Sequence, residues 1–393
     1  MSDCAKFIDY RGKTPPKRDK GIRLITAKNV KMGFIQRHPE EYIDPTVYDD
    51  WMTRGFPQVG DVLFTTEAPL GNVAQLDTDE TVVIGQRLIT LQPDRERIDP
   101  AFLKYALTSP GVQAELHSRA TGATVQGIKA KLLKQIPIPL PPLEEQQRIV
   151  AVLDEAFEGL ACARVHAEAN LQNARELFDE AEARLFGEIS AGSTKTTLGQ
   201  LASFRNGLNY SRSSQGEEVK VVGVGDFKDN FDVPTESLSY SKIDGQLGQD
   251  DRLVAGDILA VRSNGNRDLI GRTMLMSATE ESISFSGFSI RIRLTSADVL
   301  PEYVCSYLRT KAAKALLTAG GAGANISNLN QRILSSFPIS FPNTDGQRGA
   351  LEHLKLLRAK SHVLRDTYAR KLQDIDDLRQ SLLQRAFAGE LTE

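Results

Sequence analysis

Apolar and β-branched residues first gather in short runs, at 23–26, 61–65, 81–84 and 88–91, each bounded by Gly, Pro or Asp. The same grouping returns at 220–224, 257–261, 282–285 and 290–294. Runs of this length and composition predict strands of a mostly β domain. Behind each set a helical pattern opens just after a proline, at 101–107 and 302–308, a favoured helix start. Next comes a proline-rich exit, at 137–142 and 338–342. Alternating proline enforces extended backbone there.

After each exit the period lengthens. Val150, Leu153, Phe157, Leu160, Ala167, Leu171, Ala174, Phe178, Ala181 and Leu185 recur three and four apart, with Arg164 breaking the row. This spacing is a heptad seam. Leu351, Leu354, Leu372 and Ile375 hold the same places in a second stretch, where Arg365 falls on Arg164. About 45 helical residues make a rod of roughly 65 Å. Such a seam needs cover, and the nearest cover is the other copy, paired antiparallel.

The two halves are copies. Ile22 to Lys31 aligns with Val219 to Lys228 at an offset of 197, and Gly60-Asp61-Val62-Leu63 with Gly256-Asp257-Ile258-Leu259 at 196. From Gly122-Ala123-Thr124-Val125 onward the offset is 201, and Gln146 falls on Gln347. Offsets that drift mark loop insertions, and a constant one marks a rigid element. The expected fold is α+β: two globular mixed α/β domains, joined and followed by two long helices that pair as an antiparallel coiled coil, with an internal pseudo-twofold repeat. The expected boundaries are 1–142, 143–194, 195–342 and 343–393. Leu198 falls on Met1, so the first copy starts without the lead-in of the second. On that reading its first strand is short or its start lies upstream.

Composition narrows this little. The net charge of −3 seems to oppose nucleic acid, but it is unevenly placed. Residues 143–194 hold four basic against eleven acidic side chains, while the globular parts are near neutral. No run of 18 apolar residues predicts a membrane span, and no apolar segment after Met1 predicts a secretory signal. Cys4, Cys162 and Cys305 are far apart and match no metal-ligand spacing. A reducing, cytoplasmic setting is expected, with no metal.

Motifs for catalysis fail one by one. Gly12-Lys13-Thr14 ends like a phosphate loop, but Phe7 stands where its first glycine belongs. Asp99-Pro100-Ala101-Phe102 is like an adenine-holding Asp-Pro-Pro-Tyr motif, yet has alanine for the second proline and suits a helix start. Glu218-Val219-Lys220 lacks the preceding Pro-Asp element of a nuclease site and begins a strand, and Gly320-Gly321-Ala322-Gly323 lacks a dinucleotide-binding frame. The five histidines form no cluster. No nucleophile, base and orienting group come together.

Ile136-Pro137-Ile138-Pro139-Leu140-Pro141-Pro142-Leu143-Glu144-Glu145-Gln146-Gln147-Arg148-Ile149-Val150 resembles the junction of recognition domain and conserved helix in specificity subunits of type I restriction–modification systems. Asp9-Tyr10-Arg11-Gly12-Lys13-Thr14-Pro15-Pro16 resembles the opening of one recognition-domain subtype. The repeat covers essentially the whole chain, although the second junction, Asn343-Thr344-Asp345-Gly346-Gln347, keeps little beyond its glutamine.

The resemblance implies a non-catalytic, sequence-specific DNA-binding subunit. Each recognition domain would read half of a bipartite, asymmetric site on double-stranded DNA, and the helices would set the spacer. Two methyltransferase subunits would dock on the helices, carrying S-adenosylmethionine and the adenine-N6 chemistry. Restriction subunits using ATP and Mg can join them. No cofactor is expected in this chain. The contrasting expectation is a coiled-coil scaffold with degenerate domains that organises partner proteins without reading DNA.

Base reading needs bidentate donors in the major groove, and phosphate contacts need cations. Two loops of the first domain offer both: Lys28, Asn29 and Lys31 in one, and Arg119, Thr124, Gln126, Lys129 and Lys131 in the other. In the second domain the candidates are Arg262, Asn264, Asn266 and Arg267, then Asn325, Asn328, Gln331 and Arg332. The two domains differ most in these stretches, as readers of different half-sites would.

Overall fold

The structure, a computed structural model, describes residues 1–10, 15–122, 124–190, 193–211, 213–228, 230–319 and 328–391. The chain divides into two compact units. Unit 1 takes Met1–Glu168 with Ala369–Glu393, and unit 2 takes Ala169–Tyr368.

Unit 1 holds two four-stranded sheets. The first is antiparallel, in the order Ala5–Asp9, Leu88–Pro93, Val62–Thr65, Val73–Gln75. Val62–Thr65 is buried at every position, as expected for a central strand with both faces covered. The second runs Lys17–Arg18, Tyr42–Ile43, Ile22–Ile25, Val82–Ile84, and its last pair is parallel. Unit 2 repeats the first sheet as Ala202–Asn206, Ser289–Leu294, Ile258–Val261, Thr273–Leu275. The register repeats as well. Val62 pairs with Leu91 and Ile258 with Ile292, and Asp9 with Ile89 where Asn206 pairs with Ile290. The parallel pair recurs as Glu218–Val222 with Ile283–Phe285. The second proline exit is itself a strand, Pro338–Phe341, paired with Thr194–Thr197.

A buried carboxylate sits under each antiparallel sheet, with different chemistry. In unit 1 Asp61 Oδ2 accepts from the Gln58 N–H at 2.9 Å and from Gln92 Nε2 at 3.0 Å. Burial pushes the Asp61 carboxyl above its ordinary range. In unit 2 the glutamine is replaced by Arg293, whose Nε and Nη2 both lie 2.7 Å from the fully buried Asp257 carboxylate. A guanidinium brings a full positive charge to the buried carboxylate, where an amide brings only a dipole.

The helix Pro100–Thr108 is capped by Asp99, which accepts from the Ala101 and Phe102 N–H groups at 2.8 and 3.0 Å. The Asp-Pro-Ala-Phe run is thus a helix cap. The first long helix spans Leu143–Ser190 and the second Thr344–Ala388. Within unit 1 their segments run antiparallel. Ile149, Leu153 and Phe157 share a core with Leu383 and Ala386, the Arg379 guanidinium lies 4.3 Å from the Phe157 ring, and Arg164 pairs with Asp376. Arg164, which breaks the apolar row, is therefore an ion-pair position. Within unit 2 Phe186 meets Tyr307 edge-on at 5.2 Å, Ala350 and Leu354 join the same core, and Glu182 lies 3.7 Å from Arg358. Among the described residues, no helix is long and apolar enough to cross a membrane.

A glutamine ties each long helix to its own unit. Gln146, fully buried, accepts from the Asp99 N–H at 2.9 Å and donates to Arg97 O at 3.0 Å and Pro141 O at 2.7 Å. Gln347, equally buried, accepts from the Leu300 N–H at 2.7 Å and donates to Asp298 O at 2.8 Å and Pro342 O at 2.9 Å. The three bonds are the same in both copies, so the degraded second junction keeps the one side chain that fastens it.

Candidate DNA interface

In unit 1 the loop after Ile22–Ile25 turns on Asn29. Its Oδ1 accepts from the Thr26 N–H at 3.0 Å, and its Nδ2 donates to Gln36 O, Arg37 O and Pro39 O, the last at 2.9 Å. The side chain is 1% exposed. Sequence reasoning placed Asn29 among the base readers; the structure corrects this, because both ends of its amide are used inside the loop. Asp226 does the same work in unit 2, accepting from the Gly223 N–H at 2.8 Å. Lys28 is exposed at the tip, and Lys31 is half-buried beside it.

The second loop of unit 1 closes on itself. Thr121 and Gly127 exchange backbone bonds of 2.9 and 3.0 Å. Gly122 makes the turn with φ of +116°, and a Cβ there would meet Val125 O at 2.1 Å, so only glycine fits. Thr124 and Gln126 project into solvent from this tip. Lys129 and Lys131 are exposed around the start of the helix Ala130–Lys134. Arg119 is only partly available, since its Nε donates to Glu115 at 2.7 Å.

A turn that sequence reasoning passed over joins these loops. The Gly85 N–H bonds to Ile25 O at 2.8 Å, and the Thr66 N–H to Arg87 O at 3.0 Å. The Ile128 N–H bonds to Thr66 O at 3.0 Å. The exposed Arg87 lies 3.1 Å from Glu67. A cavity of about 230 Å³ opens against this turn, lined by Lys17, Thr26, Lys28, Glu41, Gln86 and Arg87 among others. Glu41 binds Lys17 through Oε1 at 2.7 Å, while its buried Oε2 has no partner among the described residues. Lys28, the turn and the second loop thus form one contiguous surface rich in cations.

Unit 2 repeats the frame with other side chains. The Ser286 N–H bonds to Val222 O at 3.0 Å, the Arg262 N–H to Phe288 O at 2.8 Å, and the Leu329 N–H to Arg262 O at 2.8 Å. This brings the segments carrying Arg262 and Asn328 to the same turn. Arg262 and Asn264 are half-buried; Asn266, Arg267, Asn328 and Arg332 are exposed. The Oδ1 atoms of Asn264 and Asn266 accept from the Asn266 and Asp268 N–H groups at 2.7 and 3.0 Å, which fixes the loop. Gln331 is partly spent, donating to Asn206 at 3.2 Å. Asn325 lies outside the described residues, as do Arg11 to Thr14 of the opening motif, Ala123, and the Gly320 to Gly323 run.

Among the described residues no group of His, Cys, Asp or Glu could hold a metal ion. Burial raises the Cys4 thiol and pushes that of Cys305 up to about 11, which keeps both protonated.

Residues 46–162 match the family model of the type I restriction modification DNA specificity domain. These residues are similar to specificity subunits of type I restriction–modification systems, and so is the chain over most of its length. It is 25% identical over 316 residues to the StySPI specificity subunit of Salmonella potsdam, covering 77% of this chain and 67% of that one. It is 23% identical over 326 residues to the EcoKI specificity subunit of Escherichia coli, covering 77% and 68%. The fold matches a chain solved in work on complex assembly and conformational transition of the type I R-M system, with a TM-score of 0.78 at 20% identity over 99% of this chain and 98% of that one. It also matches the HsdS subunit of Thermoanaerobacter tengcongensis, at 0.57 and 21% over 98% and 97%.

Proposed function

We propose that each unit reads one half of a bipartite DNA site, and that the chain directs chemistry carried by other subunits. One observation carries this reading: the same main-chain frame recurs in both units and presents different side chains. Lys28 faces Gly225 across the repeat, Glu67 faces Ser263, and Arg87 faces Phe288, while Lys131 and Arg332 keep a cation. A shared frame with altered donors and charges is what two half-sites of different sequence require. The long helices supply docking ground for two methyltransferase subunits, which bring S-adenosylmethionine. Val165, Leu177, Val363 and Leu378 are exposed along the helices, and apolar groups left in solvent there suit a partner surface. Restriction subunits with ATP and Mg can join the same assembly. Its place is the cytoplasm, in keeping with three unpaired cysteines.

The test is the set of methylated adenines in cells with and without this gene, in the presence of the complete system. The expected result is an asymmetric two-part motif with an unread spacer, its halves about one helical turn apart. Binding by the assembled complex should weaken steeply with salt. A continuous methylated motif would sink the two-reader reading.

A further inference from the structure

Phe288 is 59% exposed, and nothing in the packing of unit 2 accounts for leaving a phenyl ring in water. Its backbone, in contrast, is held from several sides. The Ser289 N–H closes the turn on Ser286 O at 2.8 Å, and the Gly287 N–H bonds to Leu208 O at 2.7 Å. The Phe288 carbonyl accepts from the N–H groups of Arg262 at 2.8 Å and Ser263 at 3.3 Å. A Cβ on Gly287 would fall 2.3 Å from Asn209 Oδ1, so the chain passes its neighbours closely at this turn. The ring is thus presented on a fixed mount, with only two side-chain torsions to order on contact.

Its surroundings decide what it meets. Arg262 leads the segment that carries Asn264, and its own carbonyl holds Leu329, next to Asn328 and three residues before Arg332. Forked guanidinium and amide donors of this kind read purine edges in the major groove. An apolar side chain among them has one partner on the groove floor, the 5-methyl group of thymine. An apolar wedge in the minor groove can also sit among such donors, but it does not touch the 5-methyl group, which lies in the major groove, so exchange of thymine for uracil separates the two. The equivalent residue of unit 1 is Arg87, a guanine-reading type, whose carbonyl accepts from the Thr66 N–H at 3.0 Å as that of Phe288 does from Arg262.

We infer that Phe288 is a specificity-determining residue that contacts a thymine methyl in the half-site read by unit 2. The inference rests on the two-reader function proposed above. The test uses the full chain assembled with its methyltransferase subunits, titrated with duplexes of its own methylated sequence. Each thymine is replaced in turn by uracil, which differs only by the methyl group.

One position in one half should lose affinity about fourfold, the worth of one buried methyl. In Phe288→Ala thymine and uracil should bind equally there, with every other position unchanged. The ring is exposed, so the variant folds as the parent does. A site with no methyl-sensitive position, or a sensitivity that survives in Phe288→Ala, overturns the assignment and leaves the two-part reading standing. If the unaltered complex prefers no two-part sequence, it is the proposed function that fails.

Discussion

The buried glutamine at the root of the first long helix permits a quantitative test. Gln146→Leu keeps the size of the side chain and removes its three hydrogen bonds, stranding the Asp99 N–H and the Arg97 and Pro141 carbonyls in a site with no exposure. An unsatisfied buried group costs about 1–3 kcal/mol, so even at the low end the three together cost about 3 kcal/mol. With a urea slope of about 2 kcal/mol/M, the midpoint falls by about 1.5 M. Trp51 is the one tryptophan of the chain and lies in unit 1, so its fluorescence follows the unit concerned. A midpoint displaced by less than about 0.3 M would refute the clamp, being only a few tenths of the displacement expected from the lost bonds. Gln146→Glu sharpens the point. It keeps the acceptor for Asp99 but sets a carboxylate oxygen against two carbonyls. The native state therefore favours its protonated form, and the lost stability should return as pH falls.

The remaining expectations concern unit 1. Lys28→Ala should leave stability within about 0.5 kcal/mol of the parent while weakening DNA binding evenly across sequences and lowering the salt slope by about one. Asn29→Ala should do the reverse, costing about 2 kcal/mol through the stranded Thr26 N–H and loop carbonyls. Equal effects of the two on folding would contradict the assignment of one to the surface and the other to the interior. Asp61, raised by burial, binds its proton more tightly when folded than unfolded. Its contribution to stability is therefore full below the ordinary aspartate value and is lost as pH climbs through the raised native one. Asp61→Asn should flatten the pH dependence of the Trp51 transition across that window, and an unchanged dependence would count against the burial argument.

Much of the architecture was legible because the chain states it twice. The pairings Gln146 with Gln347 and Asp61 with Asp257 each mark a residue with the same structural place in both units. The long helices were legible from period alone, and so was the break at Arg164, though not its ion pair with Asp376. Strands with mixed composition escaped notice: Ala5–Asp9 and Ala202–Asn206 lie beside a neighbour on one side only and show no clean alternation.

At the interface the sequence misled in two ways. Asn29 was chosen for its amide, but the offset of 197 already set it against Asp226, and what Asn and Asp share is an acceptor oxygen for a nearby backbone N–H. Arg87 and Phe288 were missed because a search for polar loops discards phenylalanine, and because their prominence depends on contacts with residues distant in sequence.

The turns at Arg87 and Phe288 are fastened by peptide groups, which every substitution short of proline preserves. Exchange of the tip residue therefore leaves its anchorage intact, and under the proposed function a lineage can pass from one reading residue to another without a poorly folded intermediate. A change of address need not wait for a compensating change elsewhere in the unit. For a molecule proposed to direct which sequence is marked, this is a route to new specificity by single steps, each of them open to selection on binding alone.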